Sequence, residues 1–145
     1  MPVVHKSALV AHSTEQMFDL INDVESYPQF LPWCHSTRLL SQTDDLLCGE
    51  LEVARVGIKQ KFSTCNRLFP HEKIEIELRE GPFKQFRGEW RLQALSETAS
   101  KIELELDFSF SGKLIDKAFS AVFSQIANTL VDSFCKRADE VYGGK

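Results

Sequence analysis

The sequence predicts an α+β fold in which a curved antiparallel sheet of about seven strands wraps around one long C-terminal helix, with short helices after the first strand. Polar and apolar residues alternate between residues 37 and 111, whereas apolar residues recur at helical spacing over residues 114–141. No linker rich in Pro, Gly or Ser divides the 145 residues. We therefore expect a single domain over residues 1–145, in the arrangement called a helix grip.

The first third of the chain predicts a strand, a short helix and a turn. Residues 3–11 (VVHKSALVA) have strand character, and Ser13 followed by Gln16 forms a capping box that opens an amphipathic helix. The segment 27–34 (YPQFLPWC) contains two prolines, which remove backbone donors and disfavour helix in the residues before them. We expect a constrained turn that carries aromatic side chains.

The middle of the chain predicts six strands joined by short turns. The clearest alternation lies in residues 102–110 (IELELDFSF), and residues 74–79 and 86–92 repeat it. A tight hairpin at Gly57 would place Glu52 near Lys61 on the outer face. Strands of near ten residues must twist and curl, so the sheet should curve around the final helix.

A strongly bent sheet contacts one helix along only part of its length, which leaves room for a ligand pocket. Aromatic side chains on the predicted concave face and on the helix would line this pocket: Phe62, Trp90, Phe108, Phe110, Phe119 and Phe123. A second group, Tyr27, Phe30, Leu31 and Trp33, would form a mobile lid at the pocket mouth, touch a membrane, or plug the end of the core. Phe83 lies in a Gly-Pro turn and, with Lys84, would stand at the same entrance or on a partner surface.

Two segments of the chain resemble a known family. YPQFLPWC, which follows NDVES, and EGPFKQFRGEW resemble the family of coenzyme-Q-binding proteins and RatA ribosome-association toxins within the START-like, polyketide-cyclase-like superfamily. The resemblance covers nearly the whole chain and implies a START-like helix-grip fold. It also implies two activities. One is binding of ubiquinone or a related polyprenyl quinone in support of respiration; the other is binding to the large ribosomal subunit, which blocks its joining with the small one.

The charge of the chain limits its partners. Seventeen Lys and Arg against 21 Asp and Glu give a net charge of −4, so the basic surplus typical of extended nucleic-acid binding is missing and no DNA partner is expected. The exposed basic residues that would meet a ribosomal partner are Lys59, Lys61, Arg67, Lys84 and Arg87. A hydrophobic small molecule is the other expected partner.

The cysteines and the N-terminus bear on the compartment. Four cysteines without a CxxC pair, and an N-terminus without a long apolar core, favour free thiols in a reducing cytoplasm. No segment is apolar enough to span a bilayer, so any membrane contact would be peripheral, at the inner face of the cytoplasmic membrane.

The sequence contains none of the familiar catalytic signatures. GxSxG, Walker A and GxGxxG motifs are missing, and the four histidines form no metal-binding spacing. Cys34 and His35 are neighbours on an extended segment, so they should point to opposite faces, with Cys34 buried. We assign no catalytic residue, metal or cofactor other than a bound quinone, and expect a non-enzymatic carrier. An aromatase or cyclase remains a third reading, which requires a polar pocket with a paired acid and base.

Overall fold

The computed structural model describes residues 3–55, 58–81, 83–110 and 113–143, and it leaves out the side chains of residues 3, 55, 58, 110 and 113–120. The elements, in chain order, are β1 (Val3–Val10), α1 (Thr14–Asn22), a 3₁₀ helix (Val24–Gln29), β2 (Cys34–Gln42), β3 (Leu46–Arg55), β4 (Ile58–Phe69), β5 (Lys73–Glu80), β6 (Phe83–Ser96), β7 (Ala99–Phe110) and α2 (Lys113–Tyr142).

The strands form one antiparallel sheet of seven strands in the order β1-β7-β6-β5-β4-β3-β2. Strands β2 to β7 are a continuous meander, and β1 pairs with β7. The predicted fold class is confirmed. Glu52 pairs with Lys61 as the hairpin prediction requires, although Gly57 itself lies outside the described residues.

The start of α1 follows the sequence prediction. The backbone N–H of Gln16 donates to Ser13 Oγ at 3.1 Å, and the N–H of Ser13 donates to Gln16 Oε1 at 3.0 Å. These two bonds form the predicted capping box. The segment 27–34 differs in detail from a simple turn: the 3₁₀ helix runs through Pro28 to Gln29, and β2 already begins at Cys34.

The core lies between the concave face of the sheet and α2. The inward residues of β7 are almost completely buried, as the alternation predicts, with exposed fractions of 0% for Ile102 and Phe108. On α2 the buried positions recur at helical spacing: Phe123, Ile126, Ala127, Val131, Phe134 and Ala138. Helix and sheet therefore share one apolar cluster.

Hydrogen bonds fix the C-terminal part of α2 to the junction between β1 and α1. The buried His12 donates from Nε2 to Asp139 Oδ1 at 2.8 Å, and its backbone carbonyl accepts from Ser100 Oγ at 2.9 Å. The Tyr142 hydroxyl donates to the carbonyl of Gln16 at 3.0 Å. The end of α2 therefore has a defined position over the sheet.

The expectation of free thiols is wrong for two of the four cysteines. Cys48 and Cys65 form a disulfide, whereas Cys34 and Cys135 are free. The physical reason is the register of β3 and β4, because the pairing that sets Glu52 opposite Lys61 also sets Cys48 opposite Cys65, with the two Cα atoms 4.1 Å apart.

The outward Glu52 is also less exposed than alternation predicts. It is 9% exposed, accepts a hydrogen bond from Ser36 Oγ at 3.2 Å, and lies 3.8 Å from Lys59 Nζ. The neighbouring strand β2 and the Lys59 side chain cover it. The basic side chains next to it are therefore Lys59 and, at 4.0 Å, His35, rather than the directly paired Lys61.

Candidate functional site

A cavity of about 90 Å³ lies between the concave face of the sheet and α2. Its walls are formed by residues of β3 to β7, of both short helices, of the segment before β2, and of α2. They are Ile21, Val24, Tyr27, Trp33, Leu47, Gly49, Leu51, Phe62, Thr64, Asn66, Ile76, Phe86, Trp90, Leu104, Leu106, Phe123, Ile126, Leu130 and Phe134. The position of the cavity is the one that the bent-sheet argument predicts.

The structure brings three of the six proposed pocket aromatics to the cavity wall: Phe62, Trp90 and Phe123. Phe108 is fully buried beside the wall, with its ring 4.9 Å from the ring of Phe123. The side chains of Phe110 and Phe119 lie outside the described residues.

Phe83 lies in an aromatic cluster at one end of the cavity rather than on a surface. It is 6% exposed, and its ring centre is 5.4 Å from that of Phe62 and 5.1 Å from that of Phe123. Gly81 lets the backbone before β6 lie close to β4, because a Cβ there would lie 2.6 Å from the Phe62 Cβ. The first residue of β6 therefore points inward.

The proposed lid residues pack against α2 and the sheet. Leu31 and Trp33 are 0% and 5% exposed, as expected of a plug, and Tyr27 and Phe30 are half-buried. The rings of Tyr27 and Phe30 lie 5.4 and 5.3 Å from that of Phe134 in edge-on contacts. Of these four residues, Tyr27 and Trp33 form part of the cavity wall.

Two polar groups hold this wall in place. Arg137 of α2 places its guanidinium 5.1 Å from the ring centre of Phe30 and donates to Gln29 Oε1 at 2.8 Å. The Tyr27 hydroxyl donates to the carbonyl of Ile21. Burial, with smaller contributions from Cys34 and Asp23, raises the pKa of Tyr27 far above its usual range, so the phenol stays neutral.

Sequence reasoning missed the polar part of the cavity wall, which Thr64 and Asn66 of β4 provide. The sequence does contain a sign of this polar part, because Thr64 and Asn66 occupy inward positions in the alternation of β4, between Phe62 and Leu68. Asn66 Oδ1 is buried and has no hydrogen-bond partner in the described part of the chain.

The described part of the cavity wall carries no acid or base apart from the Tyr27 phenol. None of its described residues is Asp, Glu, His, Lys, Arg or Cys, and the described chain contains no group of three residues able to hold a metal ion. Cys34 is 4% exposed, and burial raises the pKa of its thiol to about 12, so it stays protonated at neutral pH. His35 points outward instead, as predicted, with a side chain that is 60% exposed.

The five basic residues proposed as a partner surface are all exposed but do not form one patch: Lys59, Lys61, Arg67, Lys84 and Arg87. Lys59 and Arg67 are about 26 Å apart along β4, at a rise of about 3.3 Å per residue. Arg87 lies in register between Glu77 and Asp107, so acidic residues flank it on both neighbouring strands. Lys59, Lys61 and Lys84 lie near the end of the sheet at which β4 and β6 begin.

No helix in the described ranges is both long and apolar enough to cross a membrane.

Comparison with known sequences finds one family model and several similar proteins. Residues 10–135 match the family model described as polyketide cyclase / dehydrase and lipid transport. The chain is 43% identical over 140 residues to ribosome association toxin RatA of Pseudomonas aeruginosa, with 97% of each protein covered. It is 27% identical over 142 residues to the mitochondrial coenzyme Q-binding protein COQ10 homolog B of Xenopus laevis, over 95% of this chain and 58% of that protein.

Solved structures confirm the START-like fold. The Zhui aromatase/cyclase of Streptomyces sp. R1128 has a TM-score of 0.85 at 18% identity over 99% of both chains. A START superfamily protein from Mycobacterium smegmatis has a TM-score of 0.78 at 20% identity, over 96% of this chain and 98% of that one. Similarity at these identities concerns the fold alone.

Proposed function

We propose that the chain, which belongs to the polyketide cyclase / dehydrase and lipid transport family, binds an apolar molecule in its internal cavity and carries it without chemical change. The observation that carries this proposal is an apolar cavity whose described wall contains no ionisable acid or base apart from the neutral Tyr27 phenol. General acid–base catalysis requires groups that exchange a proton near neutral pH, which favours binding over cyclase chemistry.

The ligand class that we propose is ubiquinone or a related polyprenyl quinone. The relative named coenzyme Q-binding protein supports this choice. So does the physical character of the wall, because aromatic rings such as Trp90 and Phe86 can stack on a flat quinone ring. Burial of an isoprenoid tail contributes about 0.8 kcal/mol for each CH₂-sized unit, so affinity requires few hydrogen bonds.

The size of the cavity implies that it widens on binding. Its volume of about 90 Å³ is smaller than the roughly 150 Å³ cavity that admits benzene in an engineered protein. A quinone ring with a prenyl tail is larger still. The ligand must therefore displace part of the wall.

The 3₁₀ helix is the part of the wall that we propose to move, as a lid. Its link to α2 rests on the Arg137–Gln29 hydrogen bond and on the packing of Tyr27 and Phe30 against Phe134. No strand-to-strand hydrogen bonds hold the segment between Val24 and Gln29, whereas every strand of the sheet is paired. Separation of this helix from α2 would open the cavity at Tyr27.

A carrier of this kind would act in the cytoplasm and exchange its ligand during peripheral contact with the inner face of the cytoplasmic membrane. Organic extraction and mass spectrometry of the protein purified from its native host test the proposal. We expect quinone near one molecule per chain, and its loss from Gly49→Leu, whose side chain would fill the cavity that Gly49 lines.

Gly49→Ala is the matched control. The added methyl group would meet Val24 Cγ1 at 3.4 Å, an ordinary contact, so this variant should retain the quinone. Absence of any lipid from the wild type under mild extraction, or equal retention by Gly49→Leu, would contradict the carrier proposal.

A second candidate function is association with the large ribosomal subunit, so that it cannot join the small one. The specific observation in its favour is 43% identity to ribosome association toxin RatA over almost the whole chain. The exposed Lys59, Lys61 and Lys84 at one end of the sheet are the cations that we propose to meet the ribosome. This surface is separate from the cavity, so the two functions can be tested independently.

Sucrose-gradient sedimentation of ribosomes with excess protein tests the second candidate. We expect fewer joined ribosomes with the wild type, and a smaller effect when Lys61 and Lys84 are both changed to Glu. A variant in which Lys101 of β7 and Lys136 of α2 are both changed to Glu is the charge-matched control. An unchanged ribosome profile with excess wild-type protein would remove this candidate.

A further inference from the structure

The Asn66 amide is a polar group inside an otherwise apolar region. Asn66 lies on the concave face of β4, where it pairs with Leu47 of β3 and Ile76 of β5. Both of these neighbours also line the cavity. Its Oδ1 atom is buried and receives no hydrogen bond from the described residues.

An unpaired buried amide oxygen is unfavourable, because it loses its hydrogen bonds to water without replacement. An aliphatic residue at position 66 would continue the apolar surface that Leu47 and Ile76 form on either side. Thr64, the next inward residue, adds a hydroxyl about 7 Å away along the strand. Asn66 lines the cavity, so a molecule that displaces part of the wall can reach the amide and supply the missing partner.

We propose that Asn66 binds an oxygen atom on the ring of the ligand and so determines which class of apolar molecule the cavity accepts. This proposal rests on the proposed carrier function and adds a specificity to it. The ligand class is a flat ring that bears a carbonyl or hydroxyl oxygen, with an apolar tail against the rest of the wall. Simple hydrocarbons and saturated acyl chains, which lack such a ring oxygen, are discriminated against.

The chemistry of an amide adds a second consequence. A side-chain amide both donates through its NH₂ group and accepts through its oxygen, and rotation about its last torsion exchanges the two atoms. Asn66 can therefore donate to the carbonyl of a quinone or accept from the hydroxyl of the corresponding hydroquinone. The cavity should bind the oxidised and reduced forms with similar affinity, as a carrier for both would require.

Calorimetric titration with two probes tests the inference. The first probe is a ubiquinone with one prenyl unit, and the second is prenylbenzene, which has the tail and a ring but no ring oxygen. We expect the wild type to bind the ubiquinone about tenfold more tightly than Asn66→Leu does, in keeping with the loss of one buried hydrogen bond. Both proteins should bind prenylbenzene equally. Asn128→Leu, on the exposed face of α2, is the matched control and should behave as the wild type.

The outcomes separate this inference from the carrier proposal. Wild-type protein that binds neither probe would contradict the carrier function. Ubiquinone binding that is equal in the wild type and in Asn66→Leu would overturn the role of Asn66 while the carrier function stands. If Asn66→Leu does not fold, the test compares the affinities of the wild type for the two probes. Prenylbenzene binding as tight as ubiquinone binding would overturn the inference.

Discussion

On the convex face of the sheet, Arg91 reaches three carboxylates, whereas on the concave face the Asn66 amide oxygen has no partner in the described chain. The Arg91 guanidinium lies 3.0 Å from Glu89, 3.5 Å from Glu103 and 3.2 Å from Glu105. Water also solvates these exposed groups. The Arg91 cluster is therefore satisfied and replaceable, whereas Asn66 presents an unpaired oxygen in a mainly apolar cavity wall, as expected of a surface that meets a ligand.

The largest expected effect of a substitution lies on the concave side. Phe134→Ala removes a ring that is 2% exposed and packs against Tyr27, Phe30 and Trp90. We expect the free energy of unfolding to fall by about 3–5 kcal/mol in denaturant titrations. Phe69→Ala is the matched control, because that ring is 38% exposed, and it should cost less than about 1 kcal/mol. Equal losses in the two variants would contradict the difference between the faces.

Two glycines on the concave face test packing at a finer scale. A Cβ at Gly88 would lie 2.4 Å from Leu106 Cδ2 and 3.1 Å from the carbonyl oxygen of Glu105. Gly88→Ala should therefore cost about 1–3 kcal/mol of unfolding free energy. At Gly49 the nearest atom would be 3.4 Å away, so Gly49→Ala should cost less. A Gly49→Ala variant as unstable as Gly88→Ala would mean that no space exists at the cavity wall.

On the convex face, Arg91→Met should change the free energy of unfolding by less than about 1 kcal/mol, since exposed ion pairs contribute little and salt screens them. The Arg91 side chain is 41% exposed. The measurement is denaturant unfolding at low and high salt. The difference in unfolding free energy between the wild type and Arg91→Met should be smaller at high salt. A loss as large as that of Phe134→Ala would contradict the view that these groups are replaceable.

The smallest expected effect is a dependence on pH. The hydrogen bond from His5, together with the nearby Arg91 guanidinium, holds the pKa of Glu103 below its usual value, although desolvation opposes this shift. A lowered carboxyl pKa stabilises the folded state above the unfolded pKa of about 4.3, and this contribution disappears as the pH falls through the folded pKa. Wild-type stability should fall slightly more than that of Glu103→Gln below about pH 4.3. If the stability of the two proteins depends on pH in the same way, the prediction for Glu103 is wrong.

Alternation and helical spacing were sufficient to predict the fold. Residues 102–110 and 114–141 carried clear periods, and the Glu52–Lys61 register followed from the position of one hairpin. The Cys48–Cys65 disulfide follows from the same register, but a search for CxxC motifs does not detect a pair that is close only across two strands.

The site was less predictable than the fold. Aromatic content identified Phe62, Trp90 and Phe123 at the cavity wall, but a search for aromatics ignores an inward Asn. Cavity volume also depends on how individual side chains fill the space, as the inward turn of Phe83 shows, and no sequence period encodes that packing.

The two tryptophans of the chain, Trp33 and Trp90, both line the cavity, so their fluorescence reports directly on its occupancy. Titration with a ubiquinone that carries one prenyl unit should quench this fluorescence to a saturating level in the wild type and leave Gly49→Leu, in which the cavity is filled, almost unquenched. Quenching that rises without saturation, or that is the same in both proteins, would contradict an apolar-ligand cavity as the functional centre of the molecule.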